Sequence, residues 1–235
     1  GKTLLSYFGN LPRENVSQLY FSGEIPEIEG YNYYRLSDTD IIKGILNKSK
    51  RGRRITETAP HNDKISQQPA KMRTSFFRLV REALWLGKWK SPQLLEWLEA
   101  VSPTRVFFLG GDCVFAYTIA RFVAKRYNAG LSLYITDDYV CPRQGEGITD
   151  NIRRRLIKKA ITKTLEATEN FFTICAPMQQ KYKEIFGKDS YLTVNMPDSL
   201  YMPESKLKRE SRDYIELLYA GSLYYGRDKM LGKIA

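Results

Sequence analysis

Residues 214–231, YIELLYAGSLYYGRDKML, hold a dense set of groups able to do chemistry. A β-prone apolar run (Tyr214, Ile215, Leu217, Leu218, Tyr219) stops at Gly221-Ser222. Gly226, Arg227 and Lys229 follow, and an apolar pattern resumes at Met230. Strand, glycine turn and helix start form the arrangement in which backbone N–H groups face a phosphate. Two more polar clusters follow apolar runs: Gly110-Gly111-Asp112 after RVFFL, and Asp137-Asp138 after SLYIT. Glycine lets the backbone approach a ligand closely, and a carboxylate accepts a proton or a hydroxyl hydrogen bond. Aspartates in such places also serve as helix caps and turn residues, so both readings stand.

These clusters need a scaffold. Residues 3–8 (TLLSYF) read as a short helix ending at Gly9, 32–36 as a strand and 38–46 as a helix with a capping Asp. Residues 74–86 and 92–101 read as amphipathic helices, the second opened by Ser91-Pro92. From 105 onward strands alternate with helices: strands over 105–109, 132–136, 171–175 and 191–194, helices over 115–127, 151–168 and 177–186. Solidly apolar strands separated by helices predict an α/β fold, a Rossmann-like parallel sheet with helices on both faces. Ligands of such sheets bind beyond the carboxyl ends of the strands.

Residues 1–200 are expected to form this domain, 201–213 a linker rich in Pro, Ser and charge, and 214–235 the start of a second Rossmann-like domain. One strand and one helical turn bury no core alone, and the chain opens on Gly1 without a methionine. Both features suggest a chain that continues past its two ends. Residues 48–70 look least ordered. The crowd of Lys48, Lys50, Arg51, Arg53 and Arg54 there is either a solvated loop or an anion-binding patch.

The formal net charge of +11 favours an anionic partner: phosphate, nucleotide, nucleic acid or an acidic membrane face. Cys113, Cys141 and Cys175 form no CxxC pair, and His61 is the sole histidine. This pattern argues against a zinc site and a disulfide framework, so no metal is expected, and free thiols suggest the cytoplasm. No apolar run reaches the roughly 18 to 20 residues that span a bilayer.

Several segments in order carry a resemblance: FFLGGDCVFAYTIARFVAKRYNAGLSLYITDDY, the basic helix, FFTICAPMQQKYKEIFG, VNMPDS and ELLYAGSLYYGR. Together they resemble bacterial glycosyltransferases with two Rossmann-like domains (the GT-B fold), above all the retaining, nucleotide-sugar-using, family-4-like group. The resemblance runs from about Val106 to the end. Upstream, Gly1-Lys2-Thr3 resembles the glycine loop after such enzymes' first strand. It implies sugar transfer from a nucleotide sugar to a cell-surface glycan or lipid-linked acceptor, with no other cofactor. The first domain would hold the acceptor through Gly110, Gly111 and Asp112, with Asp137 and Asp138 in the catalytic cleft. Gly1, Lys2, Gly221, Ser222 and Arg227 would meet the donor, Arg227 at its diphosphate. Many relatives carry a His where this chain has Asp137-Asp138, and Gly-Arg where it has Gly221-Ser222.

The helix at 151–168, NIRRRLIKKAITKTLEAT, places Leu156, Ile157, Ala160, Ile161 and Leu165 on one face, with six basic residues around the remainder. It reads as an outer helix of the α/β layer, or as one that lies on an anionic membrane, which makes a peripheral place on the inner face of the cell membrane an expectation. Two other classes remain. Gly1-Lys2-Thr3 could end a Walker A motif with SLYITDD as Walker B, giving a P-loop NTPase. The charge and the 48–54 cluster could serve a nucleic-acid-binding module, although no nucleic-acid motif is present and nucleic acid is not the expected partner.

Overall fold

The computed structural model describes residues 7–22, 26, 28–46, 52–55, 74–143, 145–194 and 232. The chain divides into two units, Gly1–Met196 and Pro197–Ala235. The described helices and strands all lie in the first.

A small sheet comes first. Strand β1 (Ser17–Tyr20) pairs parallel with β2 (Asn32–Arg35). Helix α1 (Asp38–Leu46) follows, and β3 (Arg53–Ile55) returns antiparallel to β2. β3 corrects the expectation of an unordered basic loop at those positions. Arg53 and Arg54 stay exposed on an edge strand, while their backbone pairs with Tyr34 and Arg35. Gly52 permits this entry: its φ is +80°, and a Cβ there would meet Tyr34 Cε1 at 2.7 Å and Arg35 O at 2.9 Å. β1 has no counterpart in the sequence reading, because SQLY is too short for a periodic signal and its pairing is non-local.

Helices α2 (Ser75–Trp85) and α3 (Pro92–Val101) lead to the larger sheet. α3 starts as its sequence dictates: the Ser91 hydroxyl accepts the Leu94 N–H at 3.2 Å, and Pro92 fills the first turn. Trp97 Nε1 donates to Asn32 Oδ1 at 2.9 Å and ties α3 to β2. In the first core cluster Tyr34, Leu36, Ile41, Trp85, Leu94 and Phe115 are packed together. Trp85 stacks on Phe115 with centroids 3.9 Å apart, and Phe21 meets both edge-on.

Strands β4 (Arg105–Gly110), β5 (Gly130–Ile135), β6 (Asn170–Thr173) and β7 (Tyr191–Leu192) form a four-stranded sheet, all parallel, in the order β4-β5-β6-β7. Helices α4 (Val114–Tyr127), α5 (Ile148–Leu165) and α6 (Ala176–Phe186) connect them. Tyr117 of α4, Ile157 and Ile161 of α5 and Tyr182 of α6 pack in one cluster with Leu133, Ile135 and Phe171. The opposite face carries Leu109, Tyr134, Phe172 and Tyr191 in register. There the helical residues Tyr7 and Phe8 pack on Phe107, and the Tyr7 hydroxyl donates to that of Tyr134 at 3.3 Å.

The fold class is therefore α/β with a parallel sheet flanked by helices, as the strand–helix alternation predicts. The strands that hold Phe107, Leu133 and Phe172 are adjacent and parallel. No helix among the described residues is long and apolar enough to cross a membrane.

Candidate functional site

The carboxyl ends of β4 and β5 lie side by side, with Gly110 opposite Ile135. The turns that follow carry Gly111-Asp112 and Thr136-Asp137-Asp138. The topology thus brings the three candidate aspartates, Asp112, Asp137 and Asp138, to one edge of the sheet.

Their side chains do different things. Asp112 is held by two guanidinium groups, those of Arg78 on α2 and Arg153 on α5, the latter at 2.6 Å. Arg153 also donates to the Asp112 carbonyl at 3.3 Å. Asp138 Oδ1 accepts the backbone N–H groups of Val140 (2.9 Å) and Cys141 (3.1 Å) and the Tyr182 hydroxyl (3.3 Å). Burial pushes the Asp138 carboxyl up, but these donors outweigh it and hold the group below the usual carboxylate range. Asp138 is thus a turn residue that fixes the 138–141 loop. Asp137 is exposed; its Oδ2 accepts from Tyr139 Oη (3.1 Å) and Thr136 Oγ1 (3.3 Å). Its Oδ1 has no hydrogen-bond partner among the described residues.

Glycines 110 and 111 differ as well. A Cβ on Gly110 would meet the Tyr117 hydroxyl at 2.9 Å, Leu133 Cδ1 at 3.0 Å and Ile135 Cγ1 at 3.2 Å. Its smallness serves packing. Gly111 has open space where a Cβ would stand, and its carbonyl accepts the Tyr117 hydroxyl at 2.8 Å.

A second layer, absent from the sequence reading, stands behind Asp112. Glu82 of α2 accepts the N–H groups of Val114 (2.7 Å) and Phe115 (2.9 Å), so one helix caps the start of another. Burial raises the Glu82 carboxyl, partly offset by those two donors. Arg81 grips Asp38 through Nε at 2.8 and 3.0 Å, and its Nη1 lies 3.0 Å from Cys113 Sγ. Trp85 Nε1 donates to the same Asp38 at 2.6 Å. Burial pushes the Cys113 thiol up against the pull of Arg81, so it is not an activated nucleophile. Ser75, Arg78, Glu82 and Trp85 recur at intervals of three and four on α2. That stripe was the available signal, but the sequence shows 74–86 only as an amphipathic helix and does not say what its polar side meets.

Arg78, Arg81 and Arg153 stand among Asp38, Asp112 and Glu82, so formal positive and negative charges balance. An anion arriving here must compete with Asp112 for its arginines. A neutral polyol has an easier partner in Asp137. Among the described residues no group of three or more His, Cys, Asp or Glu side chains is placed to hold a metal ion. Gly1, Lys2, Gly221, Ser222 and Arg227 lie outside the described residues.

Fold and site together define an α/β protein with a polar carboxyl edge on a parallel sheet. No family model matches the chain, and no curated protein or solved structure matches it either.

Proposed function

We propose that the chain is part of a glycosyltransferase, and that the edge of β4 and β5 binds the acceptor. The observation that carries this reading is Asp137, an exposed carboxylate with a free oxygen at the carboxyl edge of a parallel sheet. The ordered resemblance from Val106 onward supports it. Asp137 accepts a hydrogen bond from an acceptor hydroxyl, while Asp112 holds Arg78 and Arg153 in place behind it. The donor is a nucleotide sugar, and the resemblance assigns Arg227 to its diphosphate. In a retaining transfer the bond from the anomeric carbon to the diphosphate breaks as the bond to the acceptor oxygen forms on the same face. The acceptor proton passes to the leaving diphosphate. Arg227 offsets the charge that grows there, and Asp137 positions the acceptor without acting as base. The acceptor is a cell-surface glycan or a lipid-linked sugar at the cytoplasmic face of the membrane.

Nucleoside diphosphate release is the test. Full-length protein is incubated with a panel of nucleotide sugars and an extract of lipid-linked and free glycans. Release that depends on the extract and falls strongly in Arg227→Ala supports transfer. ATP hydrolysis without nucleotide-sugar turnover would replace this reading by the P-loop one.

A further inference from the structure

The outward face of α5 has a composition that the helix layer does not need. Its buried residues are Ile157, Ala160, Ile161, Thr164 and Leu165. Leu156, grouped with them by the sequence reading, is instead 39% exposed. It continues a stripe with Ile152 (44%) and Ile148 (80%), four residues apart along the helix. These three apolar side chains point away from the core. Arg155, Lys159 and Lys163 share their side of the helix, and all are exposed. The other two arginines are spent internally, Arg153 on Asp112 and Arg154 on Glu146. Of the six basic residues that the sequence places on this helix, four are exposed and have no ion-pair partner among the described residues, namely these three and Lys158. Asp150 faces inward, where it accepts from the Ser75 hydroxyl and the Gly147 N–H. Glu166, just past the C-terminal end, is the exposed acid of that side.

We infer that the outward face of α5 docks the protein on an anionic lipid bilayer. Isolated exposed apolar residues are ordinary; a stripe of three that runs into exposed cations at its C-terminal end is not required by any packing among the described residues. Ile148, Ile152 and Leu156 enter the headgroup boundary while Arg155, Lys158, Lys159 and Lys163 meet lipid phosphates. Charge decides the occupant: the C-terminal half of the helix carries exposed Arg155, Lys158, Lys159 and Lys163 against Glu166, which repels a second copy of a chain that carries +11. The inference rests on the transferase reading only for its purpose, the reach to a lipid-linked acceptor.

Vesicle co-sedimentation tests it without nucleotide sugar or turnover, so its failure is separate from failure of the transferase. The probes are phosphatidylcholine vesicles, with and without about a third phosphatidylglycerol. Binding should require the anionic lipid and weaken at least ~10-fold when salt rises from about 0.1 to about 0.5 M. Lys159→Glu with Lys163→Glu should also lower it by at least ~10-fold. Ile152→Ser with Leu156→Ser should weaken it while the thermal melt stays intact. Lys125→Glu, an exposed site on α4, should leave it unchanged. Equal binding to neutral vesicles overturns the inference. So does an equal loss in Lys125→Glu, or concentration-dependent self-association that Leu156→Ser abolishes. If a double variant melts early, Lys159→Gln and Lys163→Gln are read singly, and no loss in either also overturns it.

Discussion

At the scale of single residues, two neighbouring aspartates have opposite fates. Asp137 keeps an exposed, uncommitted oxygen, and Asp138 spends Oδ1 on two backbone donors and a tyrosine. Asp137→Asn should raise the acceptor KM several-fold with kcat changed little, measured by acceptor titration in the full-length protein. Asp138→Asn should leave both constants near wild type, since an amide oxygen still accepts from Val140 and Cys141. Its effect should appear in acid instead. A carboxyl held below its unfolded value stabilises the fold above that value, and this contribution is lost as pH falls through the folded value. Urea melts at about pH 5 and about pH 3 should therefore show a smaller acid loss in Asp138→Asn than in wild type. A matching loss would mean that the carboxylate charge contributes nothing there. Sequence placed both aspartates at the right edge of the sheet, because strand ends are legible. It could not divide their roles, because the Tyr182 partner of Asp138 lies on another helix and the 138–141 turn is a matter of backbone geometry.

At the scale of elements, glycine and glutamate carry the argument. Gly110→Ala inserts a methyl against Tyr117, Leu133 and Ile135, and should cost about 1–3 kcal/mol by denaturant unfolding. Gly111→Ala meets open space and should stay within about 1 kcal/mol of wild type. Equal costs would mean that the β4 end is not packed as described. Glu82→Ala strips the Val114 and Phe115 N–H groups of their acceptor and should cost about 1–3 kcal/mol. Hydrogen exchange should localise that loss to the first turn of α4. Elements with strong local signals were legible from sequence: α3 with its Ser-Pro start, and the apolar cores of β4, β5 and β6. The cross-helix cap was not, since Glu82 in a helical pattern looks like any surface acid until Arg81, Cys113 and α4 are assembled around it. α5 was half legible. Its buried stripe was found, yet Leu156 and Arg153 exchange the sides that hydrophobicity would assign them, because Asp112 draws Arg153 inward.

At the scale of the whole first unit, the stack of Trp85 on Phe115 joins α2 to α4, and Phe21 brings the end of β1 to the same point. Trp85→Ala should cost about 3–5 kcal/mol and also leave Asp38 without its indole donor. A loss below about 1 kcal/mol would mean that the two sheets do not share a core. The parallel order was readable from 105 onward because strand and helix alternate with short turns. Of the smaller sheet β2 was legible from its NYYR run, while β1 and β3 were hidden because three or four residues carry no periodic signal. The sequential order β4-β5-β6-β7 has a consequence for synthesis. As each strand leaves the ribosome, its earlier partner is already outside: Arg105 precedes Gly130, Ser132 precedes Asn170, and Phe172 precedes Tyr191. The large sheet can grow like a queue joined at its tail, with no early edge kept waiting for a distant segment. Phe21 enjoys no such order. Phe115 lies 94 positions further along and must be made before it can cover Phe21, so the aromatic residues around β1 are the ones a nascent-chain chaperone would meet bare.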